Sequence, residues 1–350
     1  MAKTVGFAVV GLGVGHAHVK GALEAEGCKL VALCDIRPQT LDRILEKHPG
    51  AASAKFYTDY TEMLKNPEID VVSICTPSGM HSDMVIEALR AGKHVLCEKP
   101  MDITVDKILA IEEVRKETGL KVGGVFQNRR NAVMEPTKKA VEEGRLGEIY
   151  TGLFRVNWYR SDEYFLHNDG WRGTWALDGG GSLMNQGVHT VDLMQWLLGE
   201  VKSVRSIMRI VNHKIETEDF TNSIITFKSG AVVNLISTTS AYPGYGTDIQ
   251  LTGTDGSIHI DGDRLTVWRI KGDNMKEEEA EMLQKYGAAG VVPASDHTVV
   301  RGHSFHVQDI VDAVRFDREP MIGPVEATKA VRIINAVYES ARTGKEVVFD

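Results

Sequence analysis

Cysteine and long apolar runs are both scarce in this sequence of 350 residues. The four cysteines, Cys28, Cys34, Cys75 and Cys97, show no CxxC spacing, so we expect buried, reduced thiols and no metal site. No apolar run approaches the length that spans a bilayer, which predicts a protein without a membrane-spanning segment. The first residues form a glycine-interrupted apolar run rather than a signal peptide, so we expect a cytoplasmic protein.

Positive charge is in deficit as well. Lysine and arginine number 40 against 48 aspartates and glutamates, which gives a net charge of −8, and no basic run occurs. Both facts argue against a nucleic-acid partner. Hydrophobic residues make up 43% and charged residues 25%, as in soluble globular proteins, and the length suffices for two domains.

The first 125 residues alternate between apolar runs typical of strands and helical patterns. The strand-like runs are "TVGFAVVGLG", "KLVALCDI", "DVVSICTP", "KHVLCEKP" and "KVGGVFQN". Two of the helical patterns are followed by Gly92 and Gly119, which predict where those helices end. This alternation predicts an N-terminal Rossmann domain over residues 1–125, with a doubly wound parallel sheet.

Residues 126–350 show a different pattern, in which a helix and the long strand "RLGEIYTGLFRVNWYR" lead into several further strands. Turns are predicted at Lys228-Ser229-Gly230, Thr254-Asp255-Gly256 and Asp261-Gly262-Asp263. The segment "NMKEEEAEMLQKYGAAG" predicts an exposed helix or insert, and a last helix is predicted from Val325 to Arg342. We therefore predict an α/β fold whose second domain, with a large, open, mainly antiparallel sheet, serves substrate binding and oligomerisation.

A glycine-rich turn, "VVGLGVGHAH", separates the first strand from the first helix. Its residues Gly11, Leu12, Gly13, Val14 and Gly15 are candidates for binding a dinucleotide pyrophosphate, although the third glycine of GxGxxG would fall at His16. Asp35 ends the second strand, where a carboxylate accepts hydrogen bonds from ribose hydroxyls and repels a 2′-phosphate. We therefore expect NAD, and Arg37 leaves NADP as the alternative. A doubly wound domain that binds no nucleotide is the structural alternative.

Two longer segments resemble a known family. The stretch "DVVSICTPSGMHSDMVIEALRAGKHVLCEKP" resembles the signature of the Gfo/Idh/MocA family (glucose–fructose oxidoreductase, inositol dehydrogenase, rhizopine catabolism). The stretch "GWRGTWALDGGGSLMNQGVHTVDLMQWLLG", about 90 residues further on, is similar to the family's WR…GGG…H-x-x-D segment. The end, "EATKAVRIINAVYESARTGKEVVF", is similar to the family's last helix and strand, so the resemblance covers essentially the whole chain.

The resemblance implies a cofactor and a set of site residues. It implies a Rossmann domain for the cofactor and a C-terminal sheet that forms dimers or tetramers. Lys99 would lie between nicotinamide and substrate, and His189 would be the acid/base. The cofactor-binding residues that it adds are Thr76, Pro77, His81, Glu98 and Lys99. Pro100 stiffens the turn that carries Lys99, because proline fixes φ.

A polar stripe marks the helix predicted to start near Gly181. Asn185, His189, Asp192 and Trp196 are spaced to share one face among apolar neighbours, so they line a wet cleft or are satisfied internally. His189 suits a base because the pKa of histidine lies near neutrality, and Lys99 can stabilise an alkoxide. Many family members have aspartate where Asn185 stands. Because an amide takes no proton, Asn185 can only orient groups, and Asp192 is the nearest carboxylate candidate.

Further candidates for contacting the substrate are Arg129, Tyr159, Arg160, Trp171 and Arg172, for each of which a packing role is the alternative. Aromatic and polar side chains together suit a sugar ring. His303 and His306 are weaker candidates for the same cleft.

These features predict an NAD(H)-dependent dehydrogenase that oxidises a secondary hydroxyl of a sugar, sugar derivative or cyclitol. Two alternatives stay open: a redox-neutral enzyme with tightly bound NAD that works through a keto-sugar, and a non-catalytic nucleotide- or sugar-sensing module. A nucleotide-sugar substrate is also open, although no diphosphate signature shows. We expect a homodimer or homotetramer formed through the C-terminal sheet, with neither nucleic acid nor membrane as a partner.

Overall fold

The computed structural model describes residues 3–167, 170–287 and 301–349. Within these residues the chain divides into two compact units, and the division falls after Gln127. The segment from 301 to Thr328 belongs to the first unit, and the chain from Lys329 onward belongs to the second. Among the helices in the described part of the chain, none is both long and apolar enough to cross a membrane.

The first unit is built on a six-stranded sheet in the order β3-β2-β1-β4-β5-β6. All neighbouring strands are parallel, which confirms the predicted Rossmann sheet. Gly119 ends its helix with φ at 68°, and Gly92 follows its helix with φ at 77°, as predicted. Its elements up to residue 124 are β1 (Val5–Val10), α1 (Gly15–Glu24), β2 (Cys28–Cys34), α2 (Thr40–Lys47), β3 (Lys55–Tyr57), α3 (Tyr60–Leu64), β4 (Val71–Ile74), α4 (His81–Arg90), β5 (His94–Cys97), α5 (Val105–Thr118) and β6 (Val122–Gly124).

The second unit carries an eight-stranded sheet in the order β13-β12-β11-β7-β10-β9-β8-β14. Only β7 and β10 pair in parallel among these neighbours, so the sheet is mainly antiparallel, and the three predicted turns join β9 to β10, β11 to β12 and β12 to β13. The later elements are α6 (Met134–Glu142), β7 (Ile149–Asn157), α7 (Asp162–Leu166), α8 (Val188–Leu198), β8 (Val201–Arg209), β9 (Phe220–Phe227), β10 (Val232–Thr238), β11 (Gly246–Gly253), β12 (Gly256–Asp261), β13 (Arg264–Ile270), α9 (Met275–Tyr286), α10 (Arg301–Arg315), α11 (Pro324–Thr343) and β14 (Val347–Val348).

The sequence-based division at residue 125 assigns helix α10 to the second domain. In the structure this helix belongs to the first unit. Its residues Val307, Ile310 and Val311 are fully buried in the core that also contains Phe7 of β1. A Cβ at Gly21 of α1 would lie 2.9 Å from Val307, so this glycine permits the close approach of the two helices. The predicted charged helix is α9, which has no buried residue, and the last residues of that predicted segment, 288–290, lie outside the described residues.

Candidate active site

The glycine turn follows β1, and each of its glycines has a different environment. Gly11 has φ at 82°, and a Cβ there would lie 2.5 Å from the carbonyl oxygen of Cys75. A Cβ at Gly13 would meet no atom within 4 Å, so packing does not require this glycine, whereas a closely approaching pyrophosphate would. A Cβ at Gly15 would lie 3.0 Å from Val9, so Gly15 permits the close helix–strand packing that the third glycine of the fingerprint normally provides.

Asp35 is buried at the end of β2 and is joined to the glycine turn. One carboxylate oxygen accepts a hydrogen bond of 2.9 Å from the backbone N–H of Leu12, and the other accepts one of 3.0 Å from Arg37. The Arg37 guanidinium lies 3.6 Å from Asp35. The exposed Val14 precedes α1. Asp35 therefore fixes the turn, and carboxylate oxygens keep further lone pairs for a ribose hydroxyl.

His81 joins the Thr76-Pro77 turn after β4 to the Lys99-Pro100 turn after β5. Its ring nitrogens each lie 2.8 Å from a backbone carbonyl oxygen, that of Pro100 and that of Thr76. The side chain is buried, and burial lowers its pKa, although these two hydrogen bonds oppose the lowering. The structure thus places His81 as a brace between two turns that were predicted to line the cofactor.

Glu98 lies in a buried cluster with His18 and His303. Nε2 of His18 lies 2.8 Å, and Nε2 of His303 3.1 Å, from the same oxygen of Glu98, while the Lys99 backbone N–H donates to its other oxygen at 3.0 Å. Burial alone raises the pKa of Glu98, but the two histidines outweigh it and hold the pKa well below its usual range. Ser73 bonds the other ring nitrogen of His18 at 2.7 Å. The Lys99–Pro100 peptide bond is cis.

The same three side chains form a group that could hold a metal ion, since their ligand atoms all lie within 4.8 Å of one another. The nitrogen–oxygen separations of 2.8 and 3.1 Å are those of hydrogen bonds. Two atoms that bind one metal ion tetrahedrally, each at about 2.0–2.2 Å, lie about 3.3–3.6 Å from one another, farther apart than the nitrogen–oxygen pairs of this cluster. The cluster is therefore held together by hydrogen bonds. His306, another buried histidine of α10, has its pKa lowered to about 4 by burial and by His303.

Asn185 and His189 of the second unit lie on two different kinds of helix. Residues Ser182–Gly187 form a π-helix that continues into α8, so Asn185 lies before the regular helix that begins at Val188 and carries His189. π-Helical turns are rare and often occur at functional sites. Nδ2 of Asn185 donates to Asp178, whose other oxygen accepts from the backbone N–H of Gly173 at 2.8 Å. Asp178 thus supplies a carboxylate beside Asn185. Asp178 lies within "WALDGGG", and the sequence interpretation does not single it out.

Asp192 is fully buried and forms a two-point ion pair. Its oxygens accept from Arg129, with 2.8 Å to Nε and 2.5 Å to Nη2. The ring of Trp196, one turn further along α8, lies 5.5 Å from the Arg129 guanidinium. The sequence predicts Asp192 as a catalytic carboxylate candidate and Arg129 as a substrate contact, and the structure places the two side chains in contact with each other.

Glu218 holds the start of the π-helix and is a second residue that sequence reasoning missed. Its two carboxyl oxygens accept hydrogen bonds of 2.7 Å each from the backbone N–H groups of Gly181 and Leu183. The Tyr338 hydroxyl donates to it at 3.2 Å. Burial raises the pKa of Glu218 to about 7, while the backbone hydrogen bonds oppose the rise. Nothing in the sequence "ETEDF" signals this role.

The predicted substrate-contacting residues after β7 form an aromatic and cationic cluster. The Arg160 guanidinium lies 4.9 Å from the ring centre of Trp158 and 5.2 Å from that of Tyr164. Arg172 lies 4.7 Å from the ring centres of both Tyr164 and Trp171. Tyr159 instead packs edge-on against Tyr242, at 5.1 Å between ring centres. The structure therefore brings together three of the four predicted residues, Arg160, Trp171 and Arg172, around Tyr164.

Comparison with known families matches both parts of the chain. Residues 5–125 match the oxidoreductase family with an NAD-binding Rossmann fold, and residues 135–259 match the GFO/IDH/MocA C-terminal domain. The resemblance to the Gfo/Idh/MocA family is confirmed.

Individual relatives extend over nearly the whole chain. The scyllo-inositol 2-dehydrogenase (NAD(+)) of Bacillus subtilis (strain 168) is 26% identical over 100% of this chain and 98% of its own length. The scyllo-inositol 2-dehydrogenase (NADP(+)) IolW of the same strain is 26% identical over 85% of this chain and 84% of its own. The crystal structure of the WlbA dehydrogenase from Bordetella pertussis in complex with NADH and UDP-GlcNAcA is 29% identical, with a TM-score of 0.85 over 99% of this chain and 98% of that one.

Proposed function

The chain belongs to the GFO/IDH/MocA oxidoreductase family, and we propose that it is an NAD(H)-dependent dehydrogenase that oxidises a secondary hydroxyl of a sugar, sugar derivative or cyclitol. One observation carries this proposal. Three neighbouring parallel strands, β1, β4 and β5, end at one sheet edge with the glycine turn, the Thr76-Pro77 turn and Lys99. Open parallel sheets bind ligands at this edge, where the strand order reverses. The sugar and cyclitol substrates named for the relatives support the substrate class.

Hydroxyl oxidation needs a base for the O–H proton, a positive group beside the developing alkoxide and a hydride acceptor. NAD⁺, when bound, would supply the hydride acceptor. His189 takes the hydroxyl proton, because the pKa of an imidazole lies near neutrality. The ammonium group of Lys99 donates to the reacting oxygen. Asn185, held by Asp178, orients the substrate or His189.

We further propose NAD rather than NADP as the cofactor. The Asp35 carboxylate would repel a 2′-phosphate and accept from ribose hydroxyls. One of the relatives is named for NAD(+) and another for NADP(+). The cofactor preference of this protein is therefore tested by measuring kcat/KM with NAD⁺ and with NADP⁺. Asp35→Ser is expected to reduce the preference for NAD by about tenfold or more, whereas the exposed control Asp42→Ser is expected to leave it unchanged.

The activity is tested by following NAD⁺ reduction over a panel of sugars, inositols, sugar acids and nucleotide sugars. Lys99→Ala and His189→Ala are expected to abolish most turnover of the best substrate while NADH binding persists. Lys116→Ala and His167→Ala replace exposed residues and serve as controls. Wild-type rates in both site variants would contradict the proposal. Stoichiometric NAD in the purified protein, without net NADH formation, would support the redox-neutral alternative instead.

A further inference from the structure

Two arginines of the second unit, Arg160 and Arg172, lie without a carboxylate partner among the residues that the structure describes. Arg160 is only 7% exposed, and its side-chain hydrogen bonds run to neutral oxygens, the Tyr159 carbonyl at 3.0 Å and the Gln186 amide at 3.1 Å. Nε of Arg160 and Nη1 of Arg172 are buried and have no hydrogen-bond partner in the described chain. Two cations therefore share one aromatic ring, that of Tyr164, with unused donors.

This arrangement is unfavourable for the protein alone. A buried guanidinium loses hydration, and contact with an aromatic ring returns only part of that energy. Burial lowers the pKa of Arg160, and the neighbouring charge of Arg172 adds to the lowering. Elsewhere in the same unit, the buried Arg129 has a two-point carboxylate partner. Among the described residues neither Arg160 nor Arg172 has such a partner, as is expected of a site that pairs with an external anion.

Hydrogen bonds connect these cations to the helix of the proposed catalytic residues. Gln186, which accepts from Arg160, lies next to Asn185 in the π-helix. The amide of Gln186 donates to the Tyr164 hydroxyl, which lies 3.4 Å from the Asn185 side-chain oxygen. An anion bound at the guanidinium groups would thus be placed relative to Asn185 through two intermediate side chains.

We propose that Arg160 and Arg172 bind an anionic group of the substrate, a carboxylate or a phosphate carried by the sugar. This inference rests on the proposed function and narrows it from carbohydrates in general to acidic ones. Guanidinium groups bind both anions through paired N–H donors, so the chemistry of the site is shared and the experiment must separate the two.

The test compares matched ligands in isothermal titration of the NADH-loaded protein, in which no alcohol can be oxidised. The ligands are D-glucuronate, D-glucose 6-phosphate and D-glucose, together with UDP-glucuronate and UDP-glucose. The variants are Arg172→Gln and Arg160→Gln. A third variant, Arg172→Lys, keeps the positive charge but loses the paired N–H donors of the guanidinium group. Arg264→Gln is the control, because Arg264 pairs with Asp261 on an exposed hairpin. Circular dichroism confirms that each variant is folded.

We expect the acidic member of at least one pair to bind about tenfold or more tightly, and Arg172→Gln to remove about ten- to a hundredfold of that affinity. Binding of D-glucose, the neutral ligand, should be unaffected, and the glucuronate and glucose 6-phosphate arms identify which anion is bound. Equal affinity or no binding within every pair, or equal losses for acidic and neutral ligands in Arg172→Gln, would overturn the inference. Acidic sugars that bind in this way without forming NADH from NAD⁺ would refute the proposed function and leave the subsite standing. Oxidation of neutral sugars by a protein that shows no preference for anionic ligands would support the proposed function and refute the anion subsite.

Discussion

The Glu98 carboxylate lies 2.8 Å from Nε2 of His18, and the backbone N–H of Lys99 donates to its other oxygen. The carboxylate thus connects α1 to the turn after β5, and His303 adds a contact from α10. Three elements that are distant in sequence converge on the residue next to Lys99. Glu98 therefore acts as a positioning residue that fixes the backbone from which the Lys99 side chain extends.

Glu98→Gln should lower kcat by about ten- to a hundredfold, because an amide offers one acceptor oxygen where the carboxylate offers two. KM for the substrate should change less, since Lys99 is retained. The measurement is steady-state kinetics together with the melting temperature. Glu112→Gln, which breaks the Arg115 pair on α5, is the matched control and should leave kcat unchanged. Unchanged kcat in Glu98→Gln would refute the positioning role.

The ion pair of Arg129 and Asp192 should matter for stability in its own right. Asp192→Leu removes the two-point carboxylate partner of a buried guanidinium and is expected to lower the free energy of unfolding by about 3–5 kcal/mol. The double variant Arg129→Met/Asp192→Leu should lose clearly less, because no charge stays buried. Urea denaturation measures the free energy of unfolding of both variants. Asp248→Asn is the control: it removes a more exposed ion pair with Arg155 and should lower that free energy by at most about 1 kcal/mol. Wild-type stability with lost activity in Asp192→Leu would show that Asp192 serves the reaction directly.

Most of the fold follows from sequence because its signals are local. Turn residues such as Gly230 and Gly262 mark strand ends, and apolar periodicity marks the strands and helices. The placement of α10 in the first unit depends on a packing contact between Gly21 and Val307, 286 positions later, which no local pattern reports.

The candidate site was only partly predictable for the same reason. Motifs pointed to Glu98, Lys99, Asn185 and His189, but not to the residues that hold them. Asp178 and Glu218 were missed because a carboxylate partner is chosen in three dimensions. The π-helix also changes the angular spacing of residues before Val188. The polar stripe was predicted from regular α-helical spacing, so it does not give the correct direction for Asn185.

Asp219 should make the second unit sensitive to acid. Burial alone raises its pKa, but hydrogen bonds from His213 and from three backbone N–H groups outweigh burial, so the pKa lies well below its usual range. Such a carboxyl stabilises the fold above its unfolded pKa of about 3.9, and this contribution is lost as the pH falls towards the lower folded value.

Asp219→Asn should therefore cost about 2–3 kcal/mol of unfolding free energy at pH 7. The difference from wild type should hold or grow between pH 7 and about pH 5, because Asp219 raises the pKa of His213 and the charged imidazole strengthens the pair, and it should shrink below about pH 4. Melting temperatures of both proteins across this range test the sign. A difference that grows as the pH falls below about 4 would contradict the assignment, and Asp261→Asn on the exposed hairpin is the control.

One face of the second unit's sheet exposes large apolar side chains. Ile207, Ile224 and Val232 are 58%, 51% and 42% exposed. Ile207 pairs with Asn222 and Val232 with Thr226, two residues on either side of Ile224, so the period-two alternation of strands puts all three on one face. Exposed apolar patches of this kind commonly mark protein–protein contacts. The predicted homo-oligomer would form through this face.

Ile224→Lys should convert the oligomer to monomers, because a buried, unpaired ammonium at a subunit interface carries a desolvation cost that the contact cannot offset. Size-exclusion chromatography with light scattering measures the change, and circular dichroism should show an unaltered fold, since Ile224 is exposed within the unit. Leu166→Lys is the control, because Leu166 is 74% exposed and belongs to α7 and not to a strand of the sheet. A wild-type protein that is already monomeric at micromolar concentration, or an oligomer unchanged by Ile224→Lys, would exclude this face as the interface.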